Sequence, residues 1–493
     1  MEFSSVIFAS GVFAPLACAA FISVGSPLIS RKCAKVAALL GFGLSLISAL
    51  YSLWAFSQGR GLSFDTLYFG GFSLNGVSLA MYLLAAVAGF AAAFHAIFVE
   101  RVEKLRTYLT LLLFMQAGLM GMFAAENVFW MYAFHEFALV PTFIATCVWG
   151  GENKRQAAME MAIYLTLGAL VALIGVVALS FAASGVVVCS LPELRQMLQN
   201  SAISEGWQYW IFGLLALGLG TLVSLFPFHS WAPKAYTAAP TPFAMLHAGV
   251  LKKFGLYFLI QVALPFLGAG ARQWSHLIMI LALVNVIGIG LCTMAQTDLK
   301  KMISYSSVSH MGLCFLGIMS LSAVGVAGAV LLMFGHGLSV AALFALDSII
   351  AGRFGTDSMR TLAGAYKKMP VCAGLFIAAI LANIGLPGFA NFWGELSVFV
   401  SLGGVNFGIC ALAVSGIVIS AIYGLRAVAA IFYGPESEIV QASNARDISF
   451  IERLPAALLL LALLLVGFFP QLLTSALDAT LSGVACINNI SIK

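Results

Sequence analysis

The sequence predicts an all-α polytopic membrane protein of about fourteen transmembrane helices. The first reason is composition. Of 493 residues, 62% are hydrophobic and 9% are charged, against about 45–50% and about 25% in a soluble domain. The 24 Lys/Arg and 19 Asp/Glu cannot clothe a water-soluble particle of this size, so lipid is the main solvent. The second reason is run length. Apolar stretches of about 18 residues or more recur along the whole chain, long and continuous where barrel strands would be near ten residues and alternating. The third is the 48 Gly, small residues that let helices approach closely. Soluble, disordered and disulfide-rich secreted classes are excluded.

The runs fall at 4–24, 34–56, 75–98, 106–124, 127–149, 158–184, 208–228, 242–266, 274–296, 302–320, 323–350, 370–402, 405–433 and 454–477. The start, Met1-Glu2-Phe3, lacks the basic region of a signal peptide and reads as part of the first span. Connections after odd-numbered spans carry most of the basic residues, among them Lys32, Lys104, Lys154, Lys300 and Lys367. Those after spans 2, 6 and 8 carry one each (Arg60, Arg195, Arg272), and those after spans 4, 10 and 12 carry none. The odd connections are therefore expected on the cytoplasmic side, with both termini on the other. The +5 net charge is thin and lies in short loops, so it reads as topology information and not as a nucleic-acid footprint. The nine Cys are scattered, with no CxxC or Cys/His cluster, which argues against a disulfide framework, a zinc site or an iron–sulfur cluster.

Two spans read as broken. One carries Pro227-Phe-His-Ser-Trp-Ala-Pro233 through Pro240-Thr-Pro242, the other Asn383-Ile-Gly-Leu-Pro387-Gly388 through Glu395. Irregular backbone at membrane depth survives only inside protein or beside a wet cavity. The breaks fall in spans 7 and 12, five spans apart. That spacing suggests two inverted repeats, spans 4–8 and 9–13. The expected division is N-terminal helices in 1–105, a first repeat in 106–266, a second in 267–434, and a surface segment with the last helix in 435–493.

A charge at bilayer depth is costly, so each one inside a span is a functional candidate. Glu136 lies in mid-span 5; a structural hydrogen bond or a packing ion pair is the plainer role for it. Lys252 and Lys253 are adjacent in span 8 and point about 100° apart on a helix, so one can face the interior while the other snorkels. His310 in span 10 and His336 in span 11 could each be a satisfied core histidine. Together with Glu136 and with Glu395 after the span-12 break they form a set suited to a proton relay. His135, His229, Asp347 and Arg426 are weaker candidates: His229 and Asp347 are expected near span ends, Arg426 in a bundle ion pair. Burial disfavours the charged form of both amines and carboxylates, and a nearby opposite charge restores it. Moving a Lys–Glu partner therefore loads or unloads a proton with no cofactor. No GxxxxGK[ST] and no dinucleotide fingerprint occurs, so no NADH, flavin, ATP or metal is expected to bind this chain.

These motifs resemble the antiporter-like, proton-pumping membrane subunits of respiratory complex I, most closely the M-type (mitochondrial subunit 4 type) chains. Glu136 with Leu139-Val140-Pro141 and Trp149-Gly150-Gly151 is similar to the family's span-5 motif. Pro227-Phe-His-Ser-Trp-Ala-Pro233 is similar to its Pro-Leu-His-x-Trp-Leu-Pro. Ala248-Gly-Val-Leu-Lys-Lys253 places Lys253 on its central lysine. Gln296 through Gly312, Gly335-His336-Gly-Leu-Ser, and Gly385 through Glu395 match as well. Glu395 points to the M-type, because several relatives carry lysine there. Cation/proton antiporter subunits of the Mrp type and membrane-bound hydrogenase subunits share much of the pattern and are the alternatives.

The resemblance implies a subunit of an H+-translocating NADH:quinone oxidoreductase in a bacterial inner membrane. Neighbouring antiporter-like subunits would be its partners, with NADH, FMN, iron–sulfur clusters and quinone held by other chains. It implies a proton axis through Lys253, His310 and His336 to Glu395, with Glu136 as a switch towards the neighbouring subunit. The half-channels would meet this axis near the two broken helices. The family usually places a lysine five residues before the proline of Pro-Leu-His; here that residue is Leu222. Lys234 stands where Asp is common. Lys252, at a position often Leu in the family, is expected to supply the missing cation, either to Glu136 or to the axis.

Overall fold

The computed structural model describes residues 3–25, 29–66, 70–100, 102–185, 190–200 and 203–481. The last part of the expected 435–493 segment, residues 482–493, lies outside them. Among the described residues, 13 helices are long and apolar enough to cross a membrane, and a further crossing is split in two. In order these are span 1 (Phe3–Val24), span 2 (Arg31–Ser57), span 3 (Gly76–Phe98), span 4 (Leu105–Ala124), span 5 (Val128–Trp149) and span 6 (Lys154–Ser184). Span 7 (Glu205–Val223) is followed by the half-helix Trp231–Ala238. Then come span 8 (Thr241–Phe266), span 9 (Gly268–Met294), span 10 (Leu299–Met319) and span 11 (Ala323–Phe354). Span 12 is the pair Pro370–Asn383 and Ala390–Val405, and spans 13 (Phe407–Phe432) and 14 (Phe450–Phe468) complete the bundle.

Polar residues between the apolar runs start many of these helices. Asn75 accepts from Ser78 N while Ser78 Oγ accepts from Asn75 N, and Ser449 and Glu452 repeat this arrangement at span 14. Asn127, Asp298, Ser322 and Asn406 cap spans 5, 10, 11 and 13. Each oxygen satisfies an N–H that the first helical turn leaves without a partner.

Several details depart from the expected spans. Span 14 stops at Phe468, and Gln471–Leu481 is a separate helix. Pro470 removes a donor and pushes Phe469 out of the helical region (φ −126°, ψ 65°). The polar stretch 185–206 contains the helix Leu191–Asn200. The connection after span 2 folds into an antiparallel hairpin, β1 (Ser63–Thr66) and β2 (Gly70–Ser73), in which Phe64 pairs with Phe72 and their rings stack at 4.7 Å. Spans 8 and 9 are not regular: π segments occupy Leu259–Ala263 and Val284–Ile289, and a 3-10 turn occupies Leu251–Lys253.

Burial sorts the spans into two classes. Spans 3, 8, 10 and 11 are enclosed on nearly all sides, whereas spans 2, 6, 9, 13 and 14 turn most of their surface outward. A helix enclosed by other helices can carry lysine and histidine without showing them to lipid. Spans 8, 10 and 11 do so.

Side-chain hydrogen bonds tie both breaks to their surroundings. At the first, Asn285 of span 9 accepts from Phe226 N and donates to Ser224 O and Val308 O, and Trp231 Nε1 donates to Thr221 O. At the second, Asn383 Nδ2 donates to Ser339 Oγ at 3.3 Å, and Trp393 Nε1 donates to Gly467 O.

Candidate functional site: a buried file of titratable side chains

Both lysines of span 8 lie in its 3-10 turn, where consecutive residues diverge by about 120°. Lys253 is fully buried. Its Nζ donates to Ala248 O at 2.6 Å and meets His336 Nδ1 of span 11 at 3.0 Å. Lys252, also buried, points to span 10 instead. It donates to Ser307 O and Ser307 Oγ, both at 3.0 Å, and its ammonium lies 5.2 Å from the centre of the Tyr236 ring.

The rings of His336 and His310 are 5.3 Å apart. His310 Nδ1 faces Ser306 O and its Nε2 faces Asn383 O, both at 2.9 Å. Carbonyls only accept, and a neutral imidazole donates from one nitrogen only. Both bonds form together only when the ring carries a second proton. Asn383 ends the first half of span 12, so its carbonyl is available because the helix stops there. The structure thus orders the set as Lys253, His336, His310, with His336 as the direct neighbour of the lysine.

Glu395 is 4% exposed. It sits in the second half of span 12, beneath the break. Gly385 has φ +74° and closes over it; a Cβ there would strike Glu395 Oε2. Only glycine serves at such a point. Cys314 of span 10 lies within electrostatic reach of Lys252, Lys253 and Glu395. Asn391, one helical turn before Glu395, is fully buried, and neither of its amide atoms has a partner among the described residues. The same holds for one nitrogen of His336 (Nε2) and one of His247 (Nδ1). Dry, each such atom would cost about 1–3 kcal/mol.

Glu136 stands apart from this file. Its side chain is 44% exposed, its one ion-pair contact among the described residues is His135 Nδ1 at 3.4 Å, and it shares an outward face with Phe137, Val140 and Ile144. His135 is buried, with its ring 4.6 Å from that of Phe254. Lys252 therefore serves span 10, and Glu136 meets a histidine. Leu222 is buried at the usual lysine position. Asp347 lies 1% exposed inside span 11, not at its end, because span 11 runs on to Phe354. Arg426 forms no ion pair among the described residues; its guanidinium donates to Gln296 O.

At the odd-connection end the structure gathers residues that the sequence did not assign to a site. A cavity of about 720 Å³ there is lined by Glu152, Lys234, Thr237, Asp298, Lys300 and Asp357, among others. Lys234 makes a two-oxygen ion pair with Glu160 of span 6 at 2.9 Å. Lys300, read as topological, also donates to Ala239 O at the C-terminal end of the half-helix Trp231–Ala238. One signal was available. Ser304 and Ser307, three residues apart, lie on one side of span 10.

The family described as "NADH:quinone oxidoreductase/Mrp antiporter, TM" matches residues 125–420. An NAD(P)H-quinone oxidoreductase chain 4 of Synechococcus sp. is 33% identical over 391 residues, 78% of this chain and 73% of that one. A chain 4 of Synechocystis sp. is 31% identical over 446 residues, 83% of this chain and 78% of that one. Among solved structures, a chain of respiratory complex I from Thermus thermophilus superposes with a TM-score of 0.86 at 26% identity, covering 98% of this chain and 100% of its own length. A chain of the Mrp complex from Dietzia sp. has the same fold, with a TM-score of 0.85 at 18% identity, covering 99% of both chains.

Proposed function

Because the chain belongs to the antiporter-like membrane-subunit family of NADH:quinone oxidoreductases and Mrp antiporters, we propose that it translocates protons as a chain-4-type subunit of a quinone oxidoreductase. Protons move along Lys253, His336, His310 and Glu395. Quinone reduction in partner subunits drives them, and those partners hold the NADH, FMN, iron–sulfur clusters and quinone. Lys252 assists the axis, and Glu136 faces a neighbouring subunit. The chain lies in a bacterial inner membrane with odd connections cytoplasmic and termini periplasmic. Spans 4–8 and 9–13 act as inverted repeats, each with one broken helix.

The observation that carries this reading is the 3.0 Å contact between Lys253 Nζ and His336 Nδ1 inside the most enclosed helices of the bundle. A lysine amine and an imidazole this close cannot both be charged at low cost in a poorly screened interior. A proton on one therefore disfavours a proton on the other, the property a relay station needs. The test is Lys253→Met in the assembled complex in proteoliposomes. Quinone reduction measured with an uncoupler should persist, while protons moved per quinone should fall. An unchanged ratio would refute the axis. Proton flux driven by a sodium gradient with no electron donor would favour an antiporter.

A further inference from the structure

The extra lysine of span 8 is joined to the cavity at the odd-connection end by hydroxyl groups. Thr237, on the half-helix Trp231–Ala238, lines that cavity. Its Oγ1 lies 3.2 Å from Ser304 Oγ, and Ser304 is fully buried. Ser307 follows on span 10 after about 4.5 Å of axial rise. Ser307 Oγ accepts from Lys252 Nζ at 3.0 Å. Tyr236, whose ring stands 5.2 Å from the Lys252 ammonium, and His247 flank this route. The tyrosine OH and the histidine Nδ1 are both buried without a partner among the described residues.

We infer that Lys252 is the proton-loading residue of this cavity, taking protons through Thr237, Ser304 and Ser307 and passing them to Lys253. In each step a hydroxyl or water accepts one proton and releases another. The Lys252 amine becomes an ammonium and then returns to the amine as Lys253 takes the proton. No electrons move. The titratable groups around Lys252 are Lys253 and His247 on its own span, Tyr236 on the half-helix Trp231–Ala238, His310 and Cys314 on span 10, and His336 on span 11. No carboxylate is among these groups, so no ion pair fixes the charge of the amine. The inference rests on the reading of Lys253 as an axis residue.

The test uses the assembled complex in proteoliposomes and compares Lys252→Leu, Lys252→Arg, Thr237→Val and Lys253→Met by protons translocated per quinone reduced and by the rate of proton uptake. Arginine keeps the charge and the donors but does not deprotonate, so it separates a fixed cation from a proton carrier. Both Lys252 variants should slow proton uptake on the order of tenfold or more, and Thr237→Val should slow it less. Should Lys252→Leu fail to assemble, Lys252→Arg decides. Normal pumping by Lys252→Arg would overturn the inference, as would a Thr237→Val protein indistinguishable from the parent. If Lys253→Met also pumped normally, the axis itself would fall. Loss in Lys253→Met with normal Lys252 variants would sink the loading role alone.

Discussion

Lys253 and His336 lie 83 positions apart in the chain, yet their side chains touch. Each was legible in the sequence as a charge in an apolar run, but their meeting was not. It depends on how spans 8 and 11 cross and on a 3-10 turn that aims Lys252 and Lys253 at different helices. Lys252 was expected at Glu136 or on the axis, and Ser307 decides for span 10. Outside the spans, Asp357 lines the cavity at the odd-connection end with Oδ1 buried and unpartnered among the described residues. Burial pushes its carboxyl up, the Asp298 charge pushes it further, and Lys300 opposes both. The folded state then binds this proton more tightly than the unfolded chain does, so its contribution to stability falls as pH rises through the carboxyl's range. Asp357→Asn should match the parent's thermal midpoint at about pH 4, the ordinary aspartate range, and exceed it at neutral pH. Equal midpoints in both would show that burial does not strain the ionised carboxylate.

The half-helices depend on how closely spans 11 and 12 approach. A Cβ on Gly394 would lie 2.6 Å from Leu332 N and 2.8 Å from Leu332 Cα, backbone atoms that cannot step aside. Gly394→Ala should destabilise the bundle by about 1–3 kcal/mol and displace Glu395, its chain neighbour. Gly374, on the first half of span 12, has nothing within 4 Å of such a Cβ. Gly374→Ala should be neutral or stabilising by up to about 1 kcal/mol, because alanine suits a helix interior better. Thermal midpoints of the two variants in detergent check the pair, and similar midpoints would show that the interface yields. Long apolar runs and Pro-Gly interruptions made the spans and both breaks readable. The hairpin was not, because strands of 4 residues leave too short an alternation. The π segments were not, because a one-residue change of helical register leaves an apolar run looking the same.

On the scale of the whole molecule, the enclosed helices hold the titratable file and the outer helices shield it from lipid. Glu136 is the exception, a carboxylate on an outward face. At membrane depth that exposure is costly unless another chain covers it. The family match and the likeness to a chain of respiratory complex I suit such a neighbour. Family motifs made most of this placement readable from residues alone. The Lys234–Glu160 pair and the Thr237–Ser304 contact were not, since each joins helices whose packing no motif encodes. The most direct measurement is a high-resolution electron cryomicroscopy map of the assembled complex, read for ordered water. Density for a hydrogen-bonded water file should run from the cavity at Thr237 past Lys252, Lys253 and His336 to Asn391 and Glu395. A dry, apolar gap between Lys253 and Glu395, present in every resolved state during turnover, would contradict proton transfer along this axis.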